Sequence, residues 1–225
     1  MSDKKKEGGV LSILKDTLAL VLITLVAAVL LGFVHEVTAE PIAKREEQDK
    51  QEAYLAIFPG ASAVEESKDV PELAGALVSA EELLTEEYRK AVTVDEACLV
   101  RDEAGELMGY IITVTDKKGF GGAIRMVFGY SLDGVVTGLE FLSLKETAGY
   151  GLEAEKNPEW RKQFLGVTTG LFTVTKTDAK DDVKEEGEID ALSGATITSR
   201  AVTQGMNGGL LFARYLVEQG IGGAK

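Results

Sequence analysis

The chain has 225 residues and is acidic, with 37 Asp and Glu side chains against 24 Lys and Arg and a formal net charge of −13. A chain this acidic repels phosphate backbones, so we expect no nucleic-acid partner. The single Cys98 and the single His35 exclude a disulfide, a Cys/His zinc cluster and a cysteine-ligated iron–sulfur centre built within the chain. They also leave a Ser-His-Asp or Cys-His catalytic group without a base, since His35 borders the apolar N-terminal segment.

The segment from Thr17 to Val34 carries no charged side chain and is long enough to cross a membrane. At about 1.5 Å per residue it spans roughly 27 Å, which matches the hydrocarbon core of a bilayer. Val37-Thr38-Ala39 has the small-residue pattern of a signal-peptide cleavage site, but the apolar core is longer than signal sequences usually have. The sequence therefore favours a transmembrane helix at residues 11–34 over a cleaved signal. Lysines concentrated before the span favour a cytoplasmic N-terminus at residues 1–10.

About 190 residues follow the span, which is enough for one well-cored extracytoplasmic domain. We predict a helical linker at residues 35–90, which leads into this domain, and the domain itself at residues 91–225. Ala39 to Phe58 is rich in Ala, Glu, Gln and Lys, so it predicts a polar, exposed helix that continues from the membrane. Ser79-Ala80-Glu81-Glu82 has the spacing of a capping box and predicts a short helix through Lys90.

The middle of the chain predicts β-strands. Apolar residues partly alternate from Val92 to Val100, and the run from Leu107 to Thr115 is rich in β-branched residues. Ala123 to Tyr130 and Val135 to Leu144 flank Leu132-Asp133-Gly134, where Asp-Gly marks a tight hairpin. We expect three or four antiparallel strands. The predicted fold class is therefore α+β: one N-terminal transmembrane helix, then a single domain in which helices pack against an antiparallel sheet.

Three features of the remaining sequence have alternative interpretations. Gly119-Phe120-Gly121-Gly122 fits a loop lining a ligand, but between two strands a plain turn is favoured. Cys98 is better explained as a small core residue than as a nucleophile. An acidic cluster consists of Asp181, Asp182, Glu185 and Glu186. Because these residues lack the ligand spacing of a calcium loop, a solvated loop is favoured and no metal site is predicted.

Two further elements are expected before the C-terminal helix. Asn157-Pro158-Glu159-Trp160 has the pattern of a helix start, and it would place Trp160 and Phe164 on one helix face. Phe172 to Thr177 predicts another strand.

A stretch rich in small and hydroxyl residues, Asp190 to Ser199, precedes a helical pattern that runs to Gly220. Free backbone N–H groups at a helix start bind anions and phosphates. Gly194 and Ala195 permit close approach of a ligand. Hydroxyls for hydrogen bonding or covalent attachment come from Ser193, Thr196, Thr198 and Ser199. An N-cap without a ligand is the simpler alternative, and physics alone favours it.

Two motifs change this assessment. The run from Asp190 to Thr196, DALSGAT, resembles the flavinylation motif of the FMN-binding domain family, in which the last Thr of D-x-x-(S/T)-G-A-T carries FMN through a phosphoester bond. Upstream, Lys145 to Gly151 reads KETAGYG and is similar to the K-E-T-P-G-L-G segment of the family, with Ala148 and Tyr150 in place of Pro and Leu. The two motifs stand in the order that the family shows.

The resemblance implies a set of FMN-binding residues with Thr196 as the covalent attachment point. It implies no catalytic side chain and no metal ligand, because the redox chemistry belongs to the flavin. Flavin contacts are implied for Glu146, Thr147, Gly149 and Gly151. The attachment motif contributes Asp190, Ser193, Gly194 and Ala195, and Thr198 and Ser199 are implied to lie on the phosphate side or at the start of the helix.

Within this family the single span and the length resemble the G subunits of Rnf-type ion-translocating ferredoxin:NAD oxidoreductases. The C subunits of sodium-translocating NADH:quinone reductases are related and somewhat longer. The resemblance implies an electron-transfer subunit in the cytoplasmic (inner) membrane, with its N-terminus inside and its FMN domain on the extracytoplasmic side. Other membrane, iron–sulfur and flavin subunits are the implied partners, and a separate flavin transferase attaches the cofactor.

Two other functions stay open at this point. One is a membrane-tethered flavoenzyme that reduces a diffusible substrate, which needs a proton donor beside the ring. The other is a structural or assembly domain in which the hydroxyl-rich turn is only a helix cap.

Overall fold

A computed structural model of the chain describes residues 3–166, 170–175 and 186–223. Helix α1 (Asp3–Ile57) contains the whole apolar segment and includes Pro41. Its stretch Thr17–Ile42 is solvent-exposed and has the length and composition of a membrane-crossing helix. The chain divides into two compact units, Met1–Gln48 and Asp49–Lys225. Asp181, Asp182 and Glu185 of the predicted acidic cluster lie outside the described residues.

Five antiparallel strands form the main sheet in the order of the chain. They are β1 (Ala63–Glu66), β2 (Val92–Arg101), β3 (Leu107–Asp116), β4 (Ile124–Ser131) and β5 (Val136–Ser143). Strands β2 to β5 confirm the predicted strands, and Gly134 turns the chain between the last two with a φ of +84°. The α+β fold class is therefore confirmed, with one strand more than expected at the β1 edge.

Three short helices connect β1 to β2: α2 (Pro71–Val78), α3 (Ala80–Leu83) and α4 (Glu86–Arg89). The capping-box prediction at Ser79 is wrong. Ser79 ends α2, and its hydroxyl donates to the carbonyl of Gly75 (3.4 Å) instead of capping the next helix. The single predicted helix through Lys90 is also wrong, because Leu84 and Thr85 adopt extended backbone conformations that separate α3 from α4.

The long C-terminal helix α7 (Thr196–Glu218) packs across one face of the sheet. Its glycines permit a close approach, since a Cβ atom on Gly208 would lie 2.8 Å from Val92 Cγ1 and one on Gly209 would overlap the ring of Phe128. The main core lies between α7 and this face. Gly220, with a φ of +65°, follows the end of α7, as the sequence predicts.

The opposite face of the sheet is covered by the last turns of α1. Tyr54, Ile57 and Phe58 are buried there against alternate strand residues such as Cys98. A Cβ atom on Gly138 would lie 2.8 Å from Ile57 Cα, so the helix end lies directly on the strand at this contact. The predicted exposed helix is thus exposed only before its last turns. Cys98 is confirmed as a core residue, and burial raises the pKa of its thiol to about 12.

Between β5 and α7 the chain forms helices α5 (Glu153–Lys156) and α6 (Pro158–Arg161), followed by a 3-10 turn at Lys162–Phe164. Asn157 caps α6 by accepting the Trp160 N–H (3.2 Å), and the rings of Trp160 and Phe164 meet edge to face at 5.3 Å. Both predictions for this segment are confirmed. A second, parallel sheet then pairs β6 (Thr173–Thr175) with β7 (Glu188–Asp190). A final 3-10 turn covers Ile221–Gly223.

Candidate functional site

A tight turn from Leu192 to Ala195 leads into α7. Gly194 has a φ of +71°, a conformation that residues with a side chain rarely adopt. Ser199 lies one turn into the helix and is fully buried, and its hydroxyl accepts the Leu192 N–H (2.9 Å) and donates to the Ala195 carbonyl (3.0 Å). Ser199 therefore fixes the shape of the turn from inside the helix.

The first amides of α7 have no carbonyl partner within the helix. Ala195 occupies the N-cap position, and no side chain caps the helix there. The Ser199 N–H pairs with the Ala195 carbonyl (3.0 Å), which leaves the amides of Thr196, Ile197 and Thr198 ahead of the first helical hydrogen bond. Such a helix start attracts a phosphate, since both the free N–H groups and the helix dipole favour negative charge.

A cavity of about 470 Å³ opens in front of this helix start. Its size is within the range of about 300–1,000 Å³ that is common for small-molecule sites. The lining residues come from the loop after β3, the segment after β5 and the start of α7. They are Phe120, Glu146, Thr147, Tyr150, Gly151, Gly194, Ala195, Thr196, Ile197 and Thr198.

The cavity brings the two sequence motifs together. From the first motif it includes Glu146, Thr147 and Gly151, and from the second it includes Gly194, Ala195, Thr196 and Thr198. The contact between the motifs is close, because a Cβ atom on Gly151 would lie 2.6 Å from Thr198 Oγ1 and 2.8 Å from Glu146 Oε2. A residue with a side chain at position 151 would push the motifs apart.

Four of the predicted site residues are not among the described residues that line this cavity. Ser193 and Gly149 are exposed in turns, and Ser199 is buried behind the cavity wall. Asp190 belongs to β7, where its carbonyl accepts the Trp160 Nε1–H (2.7 Å) and its N–H donates to Gln163 Oε1 (2.9 Å). These bonds place Asp190 at the base of the turn that presents Thr196.

Sequence patterns do not predict three of the lining residues. Phe120, Tyr150 and Ile197 are 69%, 54% and 52% exposed and give the cavity apolar and aromatic walls. Residues 119–122 connect β3 to β4, and because Phe120 lines the cavity, the structure favours the alternative interpretation of a loop beside a ligand site. In the sequence, the aromatic residue between glycines was the available signal for a ligand-lining loop. The loop reaches the site through a contact between residues distant in sequence, since a Cβ atom on Gly121 would overlap the Lys145 carbonyl.

The residues present fit a cofactor that combines a phosphate with a flat aromatic ring. Thr196 supplies a hydroxyl at the helix start, and the free amides are placed for a phosphate. Phe120 and Tyr150 supply surfaces against which an aromatic ring packs well. Glu146 Oε1 is buried without a hydrogen-bond partner among the described residues, so it is an available acceptor for an N–H or O–H group of a ligand.

Family comparisons agree with this geometry. The FMN-binding domain family matches residues 119–210, which include every lining residue of the cavity, and the RnfG N-terminal region family matches residues 1–57. Fold and site thus define a chain in which an apolar N-terminal helix is followed in sequence by an FMN-binding domain. The chain is also 32% identical over 199 residues to the G subunit of the Na⁺-translocating ferredoxin:NAD⁺ oxidoreductase complex of Acetobacterium woodii, with 87% of this chain and 88% of that protein covered. It belongs to the family of G subunits of Rnf-type ion-translocating oxidoreductase complexes.

Other relatives cover similar shares of the chain. The G subunit of the ion-translocating oxidoreductase complex of Methanosarcina acetivorans is 28% identical over 208 residues, which cover 92% of this chain and 94% of that protein. The corresponding protein of Cereibacter sphaeroides is 32% identical over 205 residues, with 89% and 84% covered. Among solved structures, NqrC of Shewanella oneidensis matches with 22% identity and a TM-score of 0.41, over 54% of this chain and 60% of that one.

Proposed function

We propose that the chain is the electron-transfer G subunit of an ion-translocating ferredoxin:NAD oxidoreductase complex and binds one FMN in the cavity at the start of α7. The observation that carries the proposal is the contact between Gly151 and Thr198, which joins the two family motifs around one cavity. The names of the relatives support the type of complex. The family match at residues 1–57 favours a G subunit over the C subunit of a quinone reductase.

The FMN is attached covalently, through a phosphoester to the hydroxyl of Thr196. Thr196 lines the cavity at the first position of α7, so the phosphate of such an ester lies beside the free amides of Ile197 and Thr198. A separate flavin transferase makes the bond. Covalent attachment also prevents loss of the cofactor on the extracytoplasmic side.

When it is bound, the flavin supplies the ability to accept and donate electrons, and the protein supplies position and electrostatics. Phe120, Tyr150 and Ile197 shield the ring from water. Glu146 accepts a hydrogen bond from the cofactor through its unpartnered Oε1. No side chain of this chain needs to exchange a proton with a small substrate, which agrees with its single His and single Cys.

The apolar helix anchors this domain in the cytoplasmic membrane. We place residues 1–10 inside, the span at 11–34, the linker at 35–90 and the FMN domain at 91–225 outside, on the basis of the lysines that precede the span. The other subunits of the complex, which carry iron–sulfur centres and flavins, deliver and remove the electrons.

The proposal is tested in membranes of a strain whose only copy of this protein carries Thr196→Ala. We expect ferredoxin-driven NAD⁺ reduction to fall by more than about tenfold, because the complex then lacks one of its electron carriers. Thr93→Ala removes an exposed threonine of β2 and is the matched control. Full activity of the Thr196→Ala membranes, with the variant protein present in the isolated complex, would contradict the proposal.

A further inference from the structure

A second cavity, of about 500 Å³, lies beside α7, and Ile197 is the one described lining residue that it shares with the first cavity. Its walls come from α4, from the loop after β3, from β6 with the residue before it, and from the first three turns of α7. The residues that matter here are Tyr88, Lys118, Arg200, Thr203, Gln204 and Asn207. Ile197 lines both cavities, so they are neighbours.

Two cationic side chains line this second cavity without a carboxylate partner. Neither Lys118 nor Arg200 has an ion pair within 4.0 Å in the part of the chain that the structure describes, whereas Arg125 pairs with Asp95 (3.4 Å). This arrangement is unexpected in a chain with a net charge of −13, since acidic side chains are abundant. Among the described lining residues of this cavity, positively charged side chains therefore outnumber negatively charged ones.

Two carboxylates lie near these cations, and neither neutralises the cavity by an ion pair. Glu87 is an exposed lining residue. Asp116 is fully buried and accepts the backbone N–H of Lys118 at Oδ1 (2.7 Å), so it fixes the loop that carries the lysine. Lys118 and Arg200 remain available to a ligand.

Polar side chains of α7 line the cavity together with Arg200, and two of them are buried. Asn207 accepts the Phe172 N–H (2.8 Å) and donates to the Phe172 carbonyl (2.9 Å), which attaches the start of β6 to α7. Asn207 also donates to Tyr88 Oη (3.3 Å). Thr203 is only 4% exposed, and its hydroxyl has no hydrogen-bond partner among the described residues. A buried hydroxyl without a partner indicates a site where a ligand completes the hydrogen bonding.

We propose that this second cavity binds a small anion with a phosphate or carboxylate group, held by Lys118, Arg200 and the hydroxyl of Thr203. A guanidinium group binds two oxygens of such an anion at once, and the lysine adds a point charge. The site is distinct from that of the FMN phosphate, which uses residues 194–198. It is also independent of the proposed redox function, because none of its polar groups lines the first cavity.

The experiment is equilibrium dialysis of the purified full chain in detergent against radiolabelled inorganic phosphate. Flavin-loaded protein is used, so that the first cavity is filled. We expect saturable binding of one phosphate per chain with a Kd of about 1 mM or lower. Lys118→Gln and Arg200→Gln each raise the Kd by about tenfold or more, and Thr203→Val raises it by about threefold. Lys156→Gln removes an exposed lysine of α5 outside the cavity and leaves the Kd unchanged.

A competition arm with citrate identifies the preferred group. Displacement of phosphate by citrate assigns the site to carboxylates as well, and failure to displace it assigns the site to phosphates. The absence of saturable phosphate binding, or an equal loss in Lys156→Gln, would overturn the proposal. The phosphate-binding measurements are repeated in a Thr196→Ala background to separate this proposal from the proposed FMN attachment. Lys118→Gln and Arg200→Gln should raise the Kd for phosphate there as well, whether or not the chain carries flavin.

Discussion

Gly151 packs so closely against Thr198 that a Cβ atom at position 151 would lie 2.6 Å from the threonine Oγ1. Thr198 is only 1% exposed to solvent and lies in the wall of the first cavity. This contact holds the segment after β5 against the first turn of α7, where both line the first cavity. A side chain at position 151 would push these two elements apart.

Gly151→Ala is expected to lower the free energy of unfolding by about 1–3 kcal/mol, as overpacking in a filled interior usually does. It should also reduce the amount of FMN bound per chain, because Glu146 and Thr198 move apart. Thermal unfolding of the full chain in detergent and flavin absorbance per protein measure the two effects. Gly75→Ala is the control, since a Cβ atom there meets nothing within 4 Å in helix α2. Equal behaviour of the two variants would contradict this view of the contact.

Ser199→Ala tests whether the buried hydroxyl shapes the turn before Thr196. The change leaves the Leu192 N–H without its acceptor, which we expect to cost about 1–3 kcal/mol of stability and to lower flavin loading. The same two measurements apply. Ser79→Ala is the matched control, because that hydroxyl makes only a long, exposed hydrogen bond to the Gly75 carbonyl (3.4 Å), and it should change stability by less than about 0.5 kcal/mol. An unaffected Ser199→Ala protein would show that the turn keeps its shape without this hydroxyl.

Asp116 predicts a specific dependence of stability on pH. Burial raises the pKa of its carboxyl from 3.8 to about 6, and Oδ2 has no hydrogen-bond partner among the described residues. Because the pKa is higher in the folded state, the folded protein binds more protons between these two values. The resulting stability is fully present below pH 3.8 and is lost as the pH rises to about 6.

Asp116→Asn should therefore flatten the pH profile of stability between pH 3.8 and about 6. Two pKa units correspond to about 3 kcal/mol, which is the largest difference between the profiles of wild type and variant. The amide keeps an oxygen that can accept the Lys118 N–H, so the loop is retained. Melting temperatures across this pH range are the measurement, with the exposed Asp133→Asn as a control. Parallel profiles for wild type and Asp116→Asn would exclude Asp116 as the titrating group.

Gly138→Ala tests the packing of the last turn of α1 on the sheet. The new Cβ atom would lie 2.8 Å from Ile57 Cα, and a backbone atom cannot move aside as a flexible side chain can. We expect a loss of about 1–3 kcal/mol in the free energy of unfolding. Flavin loading should stay at the wild-type level, because this contact is on the opposite face of the sheet from α7. A loss of flavin at unchanged stability would contradict this separation.

Much of the fold could be predicted from local patterns. Alternation predicted β2, and Asp133-Gly134 predicted the hairpin between β4 and β5. Strand β1 was missed because Ala63–Glu66 is short and half acidic, and pairing with β2 and an ion pair between Arg101 and Glu65 (3.0 Å) hold it in place. The three residues of β7 are equally short, and their pairing with β6 is not a local property.

The site was predicted in part for the same reason. The two sequence motifs predicted Glu146 and Thr196, because each motif is a continuous run of residues that can be recognised without the fold. For the loop of Phe120 the sequence favoured a plain turn over a ligand-lining loop, because the packing of Gly121 against Lys145 that brings it to the cavity is not a local property. The second cavity likewise depends on the tertiary fold, which brings Lys118 of one loop beside Arg200 of α7.

The central claim is that Thr196 carries FMN through a phosphoester bond, and intact-mass measurement tests it most directly. The full chain is co-expressed with a flavin transferase as wild type, Thr196→Ala and the control Thr93→Ala, and flavin fluorescence is recorded in a denaturing gel. We predict that wild type and Thr93→Ala gain the mass of one FMN minus one water and fluoresce, whereas Thr196→Ala does neither. Wild-type protein that stays unmodified while the transferase labels a control substrate would contradict the claim, and so would Thr196→Ala protein that keeps the added mass.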